Sequence, residues 1–266
     1  MTIPEELKAR FAEAVERYAE RSSGFFLFLA EAAEAGVTPV QFRLYRDNFF
    51  FRTANTTAVV AKVVVAAARH ADTPTLASAG KNLYEETGEG NASRAHLGLL
   101  ERSHNVHGAR VFGQAPLPVI EAHRSPVLLG EARAFREIQE RLYTSPNYPT
   151  VLGASCAQES VANAMLQRFQ DAFFLPYQGV YTEDEFTGLV EYFAAHINGV
   201  EEEHGAEAHA AMERVCHCRD DVEYAMQGVN GFLDAQANLW DGLLRAFHAA
   251  DGRVLVPVRG LAAIPA

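Results

Sequence analysis

Asn82-Leu83-Tyr84-Glu85-Glu86-Thr87-Gly88-Glu89-Gly90-Asn91-Ala92-Ser93-Arg94-Ala95-His96 is the stretch on which the reading of this chain turns. The acidic pair Glu85-Glu86 closes one helical pattern. Gly88-Glu89-Gly90 then reverses the chain, because glycine reaches backbone angles closed to other residues. Asn91 or Ser93 can cap a new helix, which carries His96 in its first turn. A carboxylate and an imidazole can therefore face one interior point from either side of a break. Oxygen and nitrogen donors of this kind suit a first-row transition metal such as iron or manganese. Alone, the segment also describes a helix–turn–helix with surface charges. It gains force from Glu and His residues on buried faces later in the chain.

Bulk composition narrows the class. The chain has 266 residues, 48% of them hydrophobic, which suffices for one large core. A net charge of −11 and the lack of a basic run argue against a nucleic-acid surface. The apolar run from Ala58 to Ala68 is broken by Lys62 and is too short to span a bilayer. No signal-peptide core follows Met1. Three cysteines make an odd count, which disfavours a disulfide framework and favours a reducing cytoplasm. Cys216-His217-Cys218 lacks a second pair at zinc-site spacing.

The periodicity is helical throughout, with no convincing alternating strand and no repeat. Start signals stand at Thr2 with Pro4, Thr38-Pro39, Thr73-Pro74 and Ser125-Pro126, and Thr182 with Glu185 fits a capping box. The first helix runs towards Arg21 and the second over Phe25 to Ala35. A helical pattern from Pro39 to about His70 bends near Thr53 to Thr57, and the helix from Thr73 ends near Glu86. The helix of His96 runs to about Asn105, and Gly108 to His123 reads as a loop. Helices over about Thr150 to Phe174, Glu183 to Cys216 and Asp220 to Ala249 complete the set, with a tail over 251–266. The expectation is one all-α domain over 1–266, a bundle of about seven to nine helices.

Polar residues interrupt its apolar faces. Leu152, Cys156, Glu159, Ala162, Leu166 and Phe169 form one stripe, with Glu159 where a leucine would be expected. A buried carboxylate needs a cation, a hydrogen-bond partner or a proton; an arginine at the stripe's edge would serve as well as a metal. His196 lies on the face of Phe186, Leu189, Val190, Phe193, Ile197 and Val200. His204 follows eight residues on, about 80° around an ideal helix. Glu203 shares the face of His196, whereas Glu201 does so only if a π-type bulge, eased by Gly199, widens the helix. His209, His217 and His248 read as surface histidines. Lys62 sits in a segment that is apolar nearly all round. It is either a proton donor or carboxylate anchor, or a lysine whose amine reaches water.

Glu86, His96, Glu159, His196, one Glu of 201–203 and His204 make three carboxylates and three histidines, a set suited to a di-metal centre inside a bundle. The order Glu…His, Glu, then His…Glu-x-x-His resembles the heme-oxygenase-like di-metal oxidases and oxygenases. Trp240-Asp241-Gly242-Leu243 also looks familial, and the resemblance covers roughly Phe42 to Phe247. Two departures stand out. The Glu201-to-His204 unit is shifted by one residue, which leaves Glu201 and Glu203 as alternative ligands. N-oxygenating members often carry a further Glu on the preceding helix, where Val59 to Val63 offers only Lys62.

The resemblance implies a heme-oxygenase-like fold and two Fe ions that react with O2 to oxidise a small amine or amino-acid-like metabolite. N-oxygenation is favoured over oxidative decarboxylation, carbon–carbon cleavage or nitrile formation. It further implies an electron donor and a homodimer. Lys62, Arg43 or Arg46 would hold a substrate carboxylate, with Tyr45 and Phe49-Phe50-Phe51 walling the pocket. Competing readings are a metal-free enzyme like thiaminase II or the pyrroloquinoline-quinone synthase, and a non-catalytic helical binding protein.

Overall fold

The computed structural model describes residues 2–197 and 200–250, without the side chains of 200–203. Among the described residues the chain is all-α, with twelve α-helices and three short 3-10 turns. The helices are α1 (Ile3–Arg21), α2 (Ser23–Ala35), α3 (Pro39–Thr53), α4 (Thr56–Arg69), α5 (Thr73–Glu86), α6 (His96–Phe112), α7 (Gly130–Tyr143), α8 (Tyr148–Phe173), α9 (Glu183–Leu189), α10 (Glu191–Ile197), α11 (Val200–Val215) and α12 (Arg219–Ala249). The number exceeds seven to nine because α3 and α4 are separate helices and because α9 and α10 are separate within the segment from Glu183; residues 198–199, between α10 and α11, lie outside the described residues.

Several starts follow the local chemistry. Thr2, Thr38 and Thr182 each form a reciprocal capping box, with Glu5, Gln41 and Glu185 respectively. At α5 the cap is Asp72 rather than Thr73; its carboxylate accepts from the Thr75 backbone N–H at 3.2 Å. Two expectations fail. Ser125-Pro126 does not open α7, which begins at Gly130, because the Ser125 hydroxyl is engaged by the Asp47 carboxylate at 2.6 Å. The helix of His96 continues through Gly108 to Phe112. Gly108 is there for a close approach: a Cβ on it would lie 3.1 Å from the Phe42 ring.

The long helices α8 and α12 form the axis of the bundle, with α11 and α2 against α8 and α1 and α7 against α12. Two glycines set their separation. A Cβ on Gly153 would stand 2.0 Å from the Ala225 carbonyl oxygen, and one on Gly228 would stand 2.1 Å from that of Thr150. Rings fill the rest of the core. Phe25 stacks on Trp240 at 5.1 Å, and Tyr45 on Phe173 at 3.8 Å. Burial of each such ring contributes roughly 2–3 kcal/mol. Trp240 Nε1 donates to the Tyr18 hydroxyl at 2.9 Å, which ties α12 to α1.

Pro39–Arg69 is apolar enough in composition to cross a membrane. It is nevertheless broken between α3 and α4 and carries the buried Arg46, Asp47 and Arg52, as a core element does.

Candidate metal centre

The turn between α5 and α6 builds the first half of the site. Gly88, Glu89 and Gly90 all adopt positive φ, at 87°, 54° and 83°. Gly88 has no room for a side chain, since a Cβ would lie 2.3 Å from the Asn91 carbonyl oxygen. Asn91 Oδ1 accepts from the backbone N–H and the hydroxyl of Ser93, at 3.1 and 2.8 Å. The reversal ends at Ala95, so that Glu86 is the last residue of α5 and His96 the first of α6. The second half comes from α10, which buries His196.

Glu86, His96 and His196 converge, each offering one ligand atom, with these atoms all within 4.8 Å of one another. Glu86 Oε1 is 3.4 Å from His96 Nδ1 and 3.7 Å from His196 Nε2. His196 Nδ1 donates to the Tyr192 carbonyl at 2.7 Å, which fixes the ring and turns Nε2 towards Glu86. Burial alone would raise the Glu86 pKa, but His196 and His96 outweigh it and hold the carboxyl at about 2. Burial likewise opposes charge on His196, yet the Glu86 carboxylate outweighs it and raises the pKa above the ordinary 6.5.

A metal fits this arrangement on the protein's own geometry. His96 Nδ1 is buried and makes no hydrogen bond, which is a cost unless something accepts its lone pair. The spacings to Glu86 exceed ordinary hydrogen bonds and suit donors around one cation about 2 Å from each. Carboxylate oxygen with two imidazoles is a donor set for a first-row metal.

The remaining sequence-derived residues are placed as follows. Glu159 is buried and lines the cavity that also holds Glu86, His96 and His196. With Gln158 it also lines a second cavity, which carries His204, Asn82 and Glu207. His204 is buried but stands outside the three-residue cluster. Its Nε2 is 2.8 Å from Glu85 Oε2, a partner the sequence reading passed over in favour of Glu86. The Glu201 and Glu203 side chains, and the bulge expected at Gly199, lie outside the described residues.

Lys62 and the proposed substrate residues lie elsewhere. The Lys62 amine pairs with the Glu140 carboxylate across the α4–α7 contact, and its side chain is 27% exposed. It lines neither cavity, because its side of α4 faces α7 and solvent. Arg46 donates through Nε to Asp47 Oδ1 at 2.9 Å and through Nη1 to the Ala115 carbonyl at 3.1 Å. Arg43 lies 3.6 Å from the same carboxylate. Tyr45 donates to His104 Nε2 at 2.9 Å, since His104 Nδ1 donates to the Leu100 carbonyl. Phe49 and Phe50 are core, and Phe51 is covered by Arg136.

His104 and His107 are buried histidines the sequence reading missed, and burial pushes both down to about 3. Their spacing from Leu100 and Ser103 on one face of α6 is the signal that locates them.

An all-α bundle with a buried carboxylate–histidine cluster defines a class: helical proteins built to hold a redox-capable metal. The sequence profile of the family described as iron-containing redox enzyme matches residues 43–237, and the chain belongs to that family. Solved structures share the fold. A domain of unknown function with a heme oxygenase-like fold from Shewanella denitrificans superposes with a TM-score of 0.64 at 15% identity, covering 97% of each chain. A CADD-like protein of unknown function from Nostoc punctiforme gives 0.63 at 12% identity, covering 89% of this chain and 98% of that one. No curated protein matches the sequence.

Proposed function

We propose that this chain is an O2-dependent non-heme di-iron oxidoreductase acting on a small amine or amino-acid-like metabolite, with N-oxygenation as the leading reaction. The observation that carries the reading is the Glu86–His96–His196 cluster, in which a buried imidazole nitrogen has no hydrogen-bond partner and a neighbouring imidazole is aimed by the Tyr192 carbonyl. Membership of an iron-containing redox family supports the same choice of metal.

Glu86, His96 and His196 would hold one iron. Glu159 lies on the same cavity, and His204 with Glu201 or Glu203 would complete a second position. Bound iron supplies the capacity to reduce O2 and oxidise a substrate. The chain's own part is to keep Glu86 ionised, to hold His196 by its Nδ1 proton, and to exclude water with Leu97, Met165 and Leu166 along the cavity wall.

The test is to load iron-free protein with Fe(II) anaerobically and mix it with O2 in a stopped-flow spectrometer. A transient visible band whose decay is hastened by amines or amino acids supports the reading. Failure to retain iron overturns it and leaves the metal-free relatives as the better class. Product mass distinguishes N-oxygenation, which adds oxygen, from decarboxylation, which removes carbon dioxide.

A further inference from the structure

The ring-packed half of the bundle holds a phenol and an imidazole whose protons the structure places. Tyr45 on α3 and His104 on α6 are both fully buried. His104 Nδ1 lies 3.0 Å from the Leu100 carbonyl oxygen, which can only accept, so Nδ1 carries the ring's proton. His104 Nε2 therefore presents its lone pair, and the Tyr45 hydroxyl donates to it at 2.9 Å. Burial keeps this imidazole neutral, pushing its pKa down to about 3.

Aromatic rings shut water out around the pair. Tyr45 stacks on Phe173 at 3.8 Å, with Phe49 and Phe169 at 5.5 and 5.0 Å. Rings also join the pair to the Glu86 cavity. The Tyr45 and His104 rings are 5.4 Å apart. The Tyr192 ring borders the cavity and lies 6.4 Å from that of His104 and 4.6 Å from that of His196. From Tyr45 to His196 each step is therefore one between neighbouring rings.

A phenol gives up an electron easily only if its proton leaves with it, because an oxidised phenol is a strong acid. A neutral imidazole at hydrogen-bond distance takes that proton even when burial makes it a weak base. An amide or backbone carbonyl does not. Tyr177 donates to the Val37 carbonyl at 3.0 Å and Tyr143 to Gln158 Oε1 at 3.1 Å, so neither of these contacts offers a base. Tyr181 lies 3.0 Å from His107 Nδ1, but it is partly exposed and has the Arg110 guanidinium 4.5 Å from its ring centre. A cation over a ring opposes the loss of an electron from it.

We propose that Tyr45 and His104 form a proton-coupled redox pair, an internal one-electron donor that serves the Glu86–His96–His196 site through Tyr192. When a one-electron oxidant draws an electron from Tyr45, the phenolic O–H bond breaks and an N–H bond forms at His104 Nε2. The products are a neutral tyrosyl radical and an imidazolium that keeps its Nδ1 proton on the Leu100 carbonyl. A soluble one-electron reductant restores the phenol, and the proton returns to it. The oxidant in the cell is the oxidised metal centre, and this part rests on the di-iron reading. The pair's own chemistry does not require it. Its service is to reduce the centre when substrate is absent, which spares the ligands from oxidation.

The test starts from iron-free full-length protein. Flash-excited ruthenium tris-bipyridine with persulfate supplies a ruthenium(III) oxidant. Electron paramagnetic resonance of samples frozen after the flash follows tyrosyl radicals in the wild type, Tyr45→Phe, His104→Gln and Tyr181→Phe. The wild type gives a radical that outlives those of the exposed Tyr84 and Tyr224 several-fold. Double resonance in H2O and D2O shows it coupled to an exchangeable proton. Tyr45→Phe abolishes this signal, His104→Gln removes the exchangeable coupling, and Tyr181→Phe keeps both. Circular dichroism follows folding. Should His104→Gln fail to fold, Tyr45→Phe and the exchangeable coupling carry the test. Equal signals in the wild type and Tyr45→Phe, or a radical without the exchangeable proton, overturn the pair. Iron retention is scored separately. In protein that retains Fe(II), O2 without substrate yields the same signal, and its absence there overturns the donor role. A Tyr45 radical in protein that retains no iron upholds the pair and sinks the di-iron reading.

Discussion

His204 Nε2 lies 2.8 Å from Glu85 Oε2, while Glu86, the very next residue, faces His96 and His196. Adjacent carboxylates at the end of α5 thus address three histidines carried by α6, α10 and α11. For His204 to offer Nε2 to a metal, its contact with Glu85 has to open. On the di-iron proposal, Glu85→Ala is expected to tighten the second Fe(II) position several-fold without changing the first, measured by anaerobic Fe(II) titration. A weaker second site would show that Glu85 itself is a ligand.

Glu86 and His196 make the iron-free protein's stability depend on pH. The Glu86 pKa is lowered from 4.5 to about 2, so its contribution is complete above pH 4.5 and is lost as pH falls towards 2. The His196 pKa is raised above 6.5, so its contribution is complete below 6.5 and is lost as pH rises through the folded-state value. Melting temperatures of wild type and Glu86→Gln should differ most between these limits. The Glu86 shift corresponds to roughly 3 kcal/mol. A difference that is flat from about pH 3 to about pH 9 would contradict the linkage.

The two turn glycines should separate on substitution. Gly88→Ala meets both a positive φ and backbone atoms at 2.3 and 2.6 Å, whereas Gly90→Ala meets only the positive φ, with nothing closer than 3.6 Å. Gly90→Ala is expected to cost about 1 kcal/mol. Gly88→Ala should cost more and should also weaken Fe(II) binding, although it removes no ligand. Chemical denaturation and an Fe(II) titration on both variants check this.

The α8–α12 crossing supplies a prediction remote from any polar group. Gly153→Ala forces a Cβ to within 2.0 Å of a carbonyl oxygen on α12, and side-chain flexibility cannot relieve a clash with backbone. The variant is expected to lose on the order of 2–3 kcal/mol of stability, read from denaturant midpoints. A shift of Glu159, six residues along the same helix, should accompany it as reduced Fe(II) occupancy at the proposed second position.

Much of this was legible in one dimension. The capping boxes at Thr2, Thr38 and Thr182 fixed helix starts because their chemistry is local. Glu86, His96 and His196 could be chosen because each interrupts an apolar face or flanks a glycine turn. Gly108 was misread as a breaker because a glycine that admits a neighbouring ring looks identical, in sequence, to one that ends a helix. The engagement of Arg43 and Arg46 was by contrast legible, since Asp47 lies four residues and one residue further along α3, whereas the Lys62–Glu140 pair needs the packing of α4 on α7. The phase of His204 relative to His196 assumes a regular helix through 198–199, which lie outside the described residues.

His104 and His107, pushed to about 3 by burial, remain neutral whenever the fold is intact. The bundle therefore has an end that is blind to protons and an end that counts them. Lowering the pH favours the charged form of His196 beside the Glu86 carboxylate and leaves the ring-packed half around Tyr45 chemically unchanged. The difference in proton uptake between the wild type and His196→Gln thus reports on the Glu86 cavity, which makes potentiometric titration a view of that one chamber.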